Sequence, residues 1–125
     1  FVDLLPEGLD APIDQGGVNL SGGQRQRLAI ARCIVRDPLI YLFDDSFSAL
    51  DYATDARLRG ALRSLTRGKT VVIVAQRVST IMDADRIVVL DNGRVAGIGT
   101  HDDLMETCEA YREIAASQVS LEDVR

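Results

Sequence analysis

The sequence is poor in residues that staple, ligate or anchor. Two cysteines, Cys33 and Cys108, and one histidine, His101, are found among its 125 residues. The cysteines lie far apart in stretches patterned as helices, with no CxxC spacing, so there is no disulfide framework. Nothing at Phe1 reads as a secretory segment, and the chain reads as reduced and cytosolic. Long apolar runs are also missing. The longest, Leu39 to Phe43 and Val71 to Ala75, fall far short of the roughly 20 residues a membrane-crossing helix needs. Excess positive charge is lacking too: 14 Lys and Arg stand against 19 Asp and Glu, a net charge of −5. That argues against a general nucleic-acid partner, which requires a basic face. There is no internal repeat and no low-complexity linker. With 46% hydrophobic and 26% charged residues, the composition is that of a globular chain and excludes disorder throughout. The length suits one small domain or part of one.

The residues that are present give an alternating pattern. Phe1 to Val18, with Pro6, Gly8, Pro12, Gly16 and Gly17, predicts loop with a short helical turn at its start. Phe1 and Val2 lack any initiating context, so the natural chain is expected to continue upstream. Ser21 with Gln24 three residues later forms a capping-box pattern, and Leu28, Ala31, Ile34 and Val35 follow at helical spacing until Asp37-Pro38. Leu39 to Phe43 predicts a strand buried on both faces, closed by Asp44-Asp45. After a loop, Tyr52 to Leu65 predicts a helix with Ala56, Leu58, Ala61, Leu62 and Leu65 on its apolar side and the arginines opposite. Thr66 to Lys69 turns the chain into a second buried strand, Thr70 to Ala75, which ends in Gln76-Arg77. A short helix around Ser79 to Asp83 precedes two strands, Arg86 to Leu90 and Arg94 to Ile98, joined by Asp91-Asn92-Gly93 in a tight hairpin. Thr100 with Asp103 caps a further helix, Glu109 to Gln118 continues helically, and the tail from Val119 is expected to fray. The layout is α/β with a parallel core.

Two constellations carry chemistry. In Asn19 to Arg27, two glycines allow close backbone approach, Ser21 offers a hydroxyl, and a helix begins with its N–H groups and positive dipole end free for an anion. The same residues also serve as a plain helix cap. In Leu39 to Asp51, apolar residues deliver Asp44 and Asp45 to the C-terminal edge of a parallel sheet, where such folds place ligands. One carboxylate there suits Mg²⁺ beside phosphates and a second suits a water molecule to be activated, although Asp-Asp after a strand is also a common turn.

In this order and separation, the two constellations resemble the C-terminal portion of the nucleotide-binding domain of ATP-binding cassette (ABC) transporters. Leu20-Ser21-Gly22-Gly23-Gln24 resembles the signature motif, Leu39 to Asp44 the Walker B strand, and Ser48-Ala49-Leu50-Asp51 the D-loop. The resemblance spans nearly the whole chain. It implies a P-loop ATPase fold, a mainly parallel sheet with flanking helices and a C-terminal hairpin, with the Walker A half missing. Residues 1–37 would end the helical subdomain with its signature helix, 38–118 would form the Walker B half of the core, and 119–125 a tail. Pro12 to Gly17 resembles the loop that meets the transmembrane coupling helices of exporters. Arg86 to Leu104, with Gly99-Thr100-His101, resembles the exporter-type ending. The implied ligands are ATP and Mg²⁺, with Asp44 at the metal and Leu20 to Gln24 and Asp51 at the nucleotide. The implied partners are a second nucleotide-binding domain and the protein's own transmembrane domain, which places the segment at the cytoplasmic face of the membrane.

Two departures qualify the resemblance. The family normally follows the Walker B aspartate with a glutamate that polarises the attacking water, and this chain has Asp45. Losing one methylene shortens the reach by about 1 Å, a misplacement that can cost on the order of 100-fold in rate. Where the family has a γ-phosphate-contacting histidine after the next strand, this chain has Gln76, which donates a hydrogen bond but carries no charge. In the family each site is completed by the partner's signature, so both changes weaken this chain's own site while Ser21 to Gln24 stay intact for the partner's. The expectation is the degenerate half of a heterodimeric exporter, inactive as the isolated segment. Without its upstream half, apolar surface along Leu39 to Phe43 and Val71 to Ala75 is expected to be incompletely covered.

Other features have plainer readings. Gly68-Lys69-Thr70 has Arg63 where a phosphate loop needs glycine and enters a strand instead of leaving one, so it reads as a turn. Arg25, Arg27, Arg32 and Arg36, like Arg57, Arg59 and Arg63, read as solvated faces. Ser79-Thr80 reads as a cap, His101 as structural, and Asp51 as a cap that in the D-loop context couples two sites. The alternatives to an exporter are a soluble ABC ATPase of DNA repair, chromosome organisation or translation, and a non-catalytic dimerisation module. An upstream transmembrane region separates the first, and nucleotide binding by the complete domain the second.

Overall fold

The computed structural model describes residues 1–122, with side chains through Gln118. It divides into two compact units, one spanning Phe1–Val74 and the other beginning at Ala75.

The first unit opens with three short 3-10 turns, Val2–Leu4, Gly8–Asp10 and Gln15–Gly17, in place of a single turn followed by loop. Asn19 ties the last part together, accepting from the Asp14 N–H at 3.2 Å and donating to the Pro12 carbonyl at 3.0 Å. Helix α1 (Gly22–Val35), strand β1 (Ile40–Asp44), helix α2 (Tyr52–Leu65) and strand β2 (Thr70–Val74) follow. The strands β1 and β2 pair in parallel, Ile40 opposite Thr70 through Asp44 opposite Val74. Gly68, at φ +76°, makes the reversal into β2, and Lys69 pairs with Asp37 at 3.3 Å. This stretch is the expected turn.

The core of this unit lies on one side of the sheet. Tyr41 and Phe43 of β1 pack with Ile30, Phe47, Leu50 and Leu62. Ile40 and Leu42, on the other face of β1, are 63% and 64% exposed, and Val71, Val72 and Val74 of β2 are also exposed. Burial on both faces is thus corrected to burial on one, because no layer of the first unit packs on the second face. Incomplete cover of the apolar surface along these two strands is what the sequence led us to expect.

The helix faces also differ from the apolar pattern. On α1 the inward residues are Ile30, Cys33 and Ile34, while Val35 is 85% exposed. On α2 the buried positions are Asp55 and Leu62, and Leu65 is exposed. Arg59 does not join a solvated face: its Nε reaches the buried Asp55 Oδ2 at 3.1 Å. A carboxylate taken out of water is tolerable only with such a partner.

The second unit contains helix α3 (Val78–Ile81), strands β3 (Ile87–Asp91) and β4 (Arg94–Gly99), and helices α4 (His101–Thr107) and α5 (Glu109–Glu122). The strands form the expected antiparallel hairpin, with Asn92 and Gly93 both at positive φ (47° and 73°), the geometry of a two-residue turn that Asn-Gly favours. Ile87 and Val89 pack against Leu104, Cys108 and Tyr111, with Val78 and Ile81 alongside. A Cβ on Gly97 would fall 2.9 Å from Leu104 Cδ2 and 3.0 Å from Cys108 Sγ, so helices and hairpin approach as closely as glycine permits. His101 is structural, its Nδ1 lying 2.9 Å from the buried Tyr111 hydroxyl. Burial pushes the Tyr111 phenol above its ordinary value. Ser79 and Thr80 are not caps: both lie inside α3, whose N-cap is Arg77, and Thr80 is buried. Helix α5 runs past Gln118 to Glu122, and residues 123–125 of the expected tail lie outside the described residues.

Candidate functional site

The start of α1 is a full capping box. Ser21 Oγ accepts from the Gln24 N–H at 3.2 Å, and Gln24 Oε1 accepts from the Ser21 N–H at 2.8 Å. Ser21 acts as acceptor in this bond, which leaves its O–H proton as a donor, while the N–H groups of Gly22 and Gly23 stand at the positive end of the helix. Cap and anion cradle are therefore compatible uses of the same residues. Arg25 ties the preceding loop to the helix, its Nη1 donating to the carbonyls of Gly17 and Leu20 at 3.2 and 3.1 Å. Arg27 donates to the Gly23 carbonyl at 3.3 Å and lies over the Phe1 ring at 4.9 Å. These two arginines brace loop and helix backbone.

Asp44 and Asp45 sit exposed at the C-terminal end of β1. The Asp45 N–H continues the ladder to the Val74 carbonyl at 3.0 Å, and the chain then swerves, Asp45 adopting a left-handed φ of 48°. Aspartate tolerates that region better than most residues. Phe47 and Leu50 anchor the loop that follows in the core, with Phe47 packed 5.5 Å from the Phe43 ring. Asp51 ends the loop as N-cap of α2, accepting from the Thr54 N–H at 2.9 Å, and the hydrogen bonds from Thr54 hold its carboxyl below the ordinary range.

Unit one brings these two constellations together through a residue outside both motifs. Gln26 lies one turn before Ile30 on the inward face of α1. Its Nε2 donates to the Asp45 carbonyl at 3.2 Å and to Ser48 Oγ at 3.1 Å, and its Oε1 accepts from the Ala49 N–H at 3.0 Å. One amide thus fixes the backbone on both sides of the turn that presents Asp45. Gly23 contributes to the same junction: a Cβ there would meet the Ala49 carbonyl oxygen at 3.0 Å. The glycine's bareness is used by the chain's own loop, where the sequence suggested a ligand. The signal for Gln26 was its i, i+4, i+7 relation to Ile30 and Cys33, which a purely apolar pattern passes over.

Asp44 offers a hard oxygen at the sheet edge. Mg²⁺ takes one or two protein carboxylates and completes its shell with phosphates and water. Among the described residues no three His, Cys, Asp or Glu side chains form an all-protein metal cage. The Asp44 carboxylate is a donor of the kind such an ion takes.

Gln76 belongs to the second unit, where its side chain is exposed and its carbonyl accepts from Gln118 Nε2 at 2.6 Å. Among the described residues no helix is long and apolar enough to cross a membrane.

Comparisons with known proteins give the family and the fold. The ABC transporter family profile matches residues 4–48. The chain is 53% identical over 112 residues to an uncharacterized ABC transporter ATP-binding protein of Mycobacterium bovis, covering 90% of this chain and 19% of that protein. It is 53% identical over 106 residues to an ATP-dependent lipid A-core flippase of Alkalilimnicola ehrlichii, covering 85% and 18% respectively. A solved bacterial Atm1-family ABC exporter with ATP bound matches with a TM-score of 0.91 at 42% identity, over 94% of this chain and 21% of the exporter chain. The chain spans about a fifth of the length of these relatives. By motif, fold and relatives together, the chain belongs to the ABC transporter ATP-binding family and forms part of its P-loop ATPase fold.

Proposed function

We propose that this chain is the nucleotide-binding segment of an ABC exporter and contributes to coupling ATP binding and hydrolysis to transport. The observation that carries the reading is the junction built by Gln26, in which the capped N-terminus of α1 and the Asp44-Asp45 turn are held by one side chain. In this reading Ser21, Gly22, Gly23 and Gln24, with Leu20 behind them, face ATP held by a partner domain, and Asp51 helps couple the two sites. Asp44 would hold Mg²⁺, which would neutralise phosphate charge. Asp45 orients water from a carboxylate one methylene short of glutamate, and Gln76 donates a hydrogen bond near the γ-phosphate.

The finer reading is a degenerate subunit of a heterodimer, with residues 1–37 as the end of the helical subdomain and 38–118 as the Walker B half. Two substitutions at catalytic positions beside an intact signature support it: this chain's own site retains nucleotide while the partner's site, completed by Ser21 to Gln24, hydrolyses it. The segment lies at the cytoplasmic face of the membrane, joined to its own transmembrane domain. The test is ATP turnover by the full-length protein purified without a partner. Slow turnover is expected, and rapid sustained hydrolysis by such a homodimer overturns the degenerate assignment.

A further inference from the structure

Gln118 belongs to none of the sequence motifs, yet its side chain spans the segment that carries Gln76. Its Nε2 donates to the Gln76 carbonyl at 2.6 Å, and its Oε1 accepts from the Val78 N–H at 2.8 Å. A carbonyl and the N–H two residues later lie on one edge of an extended chain, so a carboxamide that takes both acts as a short neighbouring strand. The segment between β2 and α3 has its exposed Gln76 side chain directed by a backbone that Gln118 grips on either side of Arg77.

The support behind this clamp is firm. Gln118 lies seven residues after Tyr111 on α5, two helical turns along the same face. Tyr111 is buried against Ile87, Val89, Leu104 and Cys108, and Val78 and Ile81 of α3 pack on the same cluster. Helix α5 thus connects a buried core to the backbone of an exposed polar residue.

We propose that Gln118 is a positioning residue for Gln76, which makes the C-terminal helix part of what lets this nucleotide site tell ATP from ADP. The proposal rests on the reading of Gln76 as the γ-phosphate donor. A contact to the γ-phosphate raises affinity for ATP and leaves ADP untouched, and it depends on where the amide is held. Loss of the clamp therefore lowers the ATP-to-ADP preference, whereas general loosening of the unit lowers both affinities together.

The experiment measures binding of labelled azido-ATP and azido-ADP, photocrosslinked to this subunit, in the full-length protein within its native assembly. Gln76→Ala is expected to reduce the ATP preference about tenfold, the scale of one net hydrogen bond. Gln118→Leu is expected to reduce it about three- to tenfold with ADP affinity unchanged, and to add no further loss on top of Gln76→Ala. Gln118→Glu keeps the acceptor for Val78 and loses the donor to Gln76. With an acceptor-only carboxylate set against the Gln76 carbonyl, it is expected to lower the ATP preference at least as far as Gln118→Leu, and it carries the test should the leucine variant fail to fold. Equal losses for ATP and ADP, or costs that multiply in the double variant, overturn the positioning role. No effect of Gln118→Leu while Gln76→Ala is costly overturns that role alone. No effect of Gln76→Ala removes the reading of Gln76 and the proposal with it.

Discussion

The two units solve one problem with the same device and close their cores differently. In each, a single glutamine amide grips the backbone of a turn that carries a polar residue of interest: Gln26 takes the Asp45 carbonyl and the Ala49 N–H, and Gln118 takes the Gln76 carbonyl and the Val78 N–H. The second unit nevertheless builds its core from a hairpin and the helices next to it in sequence. The first unit buries one face of a two-stranded parallel sheet and leaves the other apolar and exposed. A hairpin with adjoining helices can be locally complete, whereas a parallel pair needs a layer on both faces. The turns that carry Asp45 and Gln76 are held by side-chain hydrogen bonds reaching from a helix of the same unit, and the strands alone do not determine them.

Truncating equal side chains should break this comparison most visibly. Leu104, 1% exposed in the second core, should cost about 2–5 kcal/mol when changed to alanine, from lost transfer energy and the cavity left behind. Leu42, 64% exposed in the first unit, should cost less than about 0.5 kcal/mol in the 125-residue chain. Urea unfolding of both variants checks this, and a large cost at Leu42 would contradict the one-sided core.

A smaller effect should separate the clamps from the cores. Gln26→Leu keeps the bulk but unpairs the Asp45 carbonyl and the Ala49 N–H, and it should cost about 1–3 kcal/mol. Hydrogen exchange should show the loss concentrated at Ala49 while the hairpin amides of the second unit stay protected. Uniform loss across both units would mean that the amide does no local work.

The smallest effect is acid sensitivity, which each unit should show at one cap. Hydrogen bonds from Thr54 lower the Asp51 carboxyl and those from Thr100 lower Asp103, both from an ordinary value of 3.8. A folded value below the unfolded one means the stabilisation is complete above the unfolded value and is lost as pH falls through the folded one. Stability should therefore decline slightly below about pH 4, and Asp51→Asn with Asp103→Asn should flatten that decline in a pH series of unfolding midpoints.

Local signals in the sequence were sufficient wherever structure is set by neighbours along the chain. Ser21 with Gln24, Asn92-Gly93 and Thr100 with Asp103 each act within a few residues, and α2 spans Tyr52–Leu65 as its pattern predicts. The inward faces were less legible. Gln26 and Asp55 lie inward although polar, because their partners come from distant turns or from Arg59, while Leu65 and Val35 lie outward although apolar. Periodicity counts apolar residues and has no term for a polar side chain satisfied by a backbone it cannot foresee. The strands differ for a related reason: an apolar run specifies that both faces favour burial, and coverage depends on a layer that the first unit does not supply. Gln118 lay outside every motif because its role depends on the packing of α5 and not on local sequence.

The proposal most open to test is that Asp45 and Gln76 weaken hydrolysis while Ser21 to Gln24 stay competent. The most direct measurement is ATP turnover by the full-length protein without a partner, comparing wild type with the Asp45→Glu, Gln76→His double variant. Slow turnover is expected for wild type and a gain of about 10- to 100-fold for the variant, since the restored reach places the carboxylate on the water. Fast wild-type turnover, or a double variant no faster than a slow wild type, would contradict it.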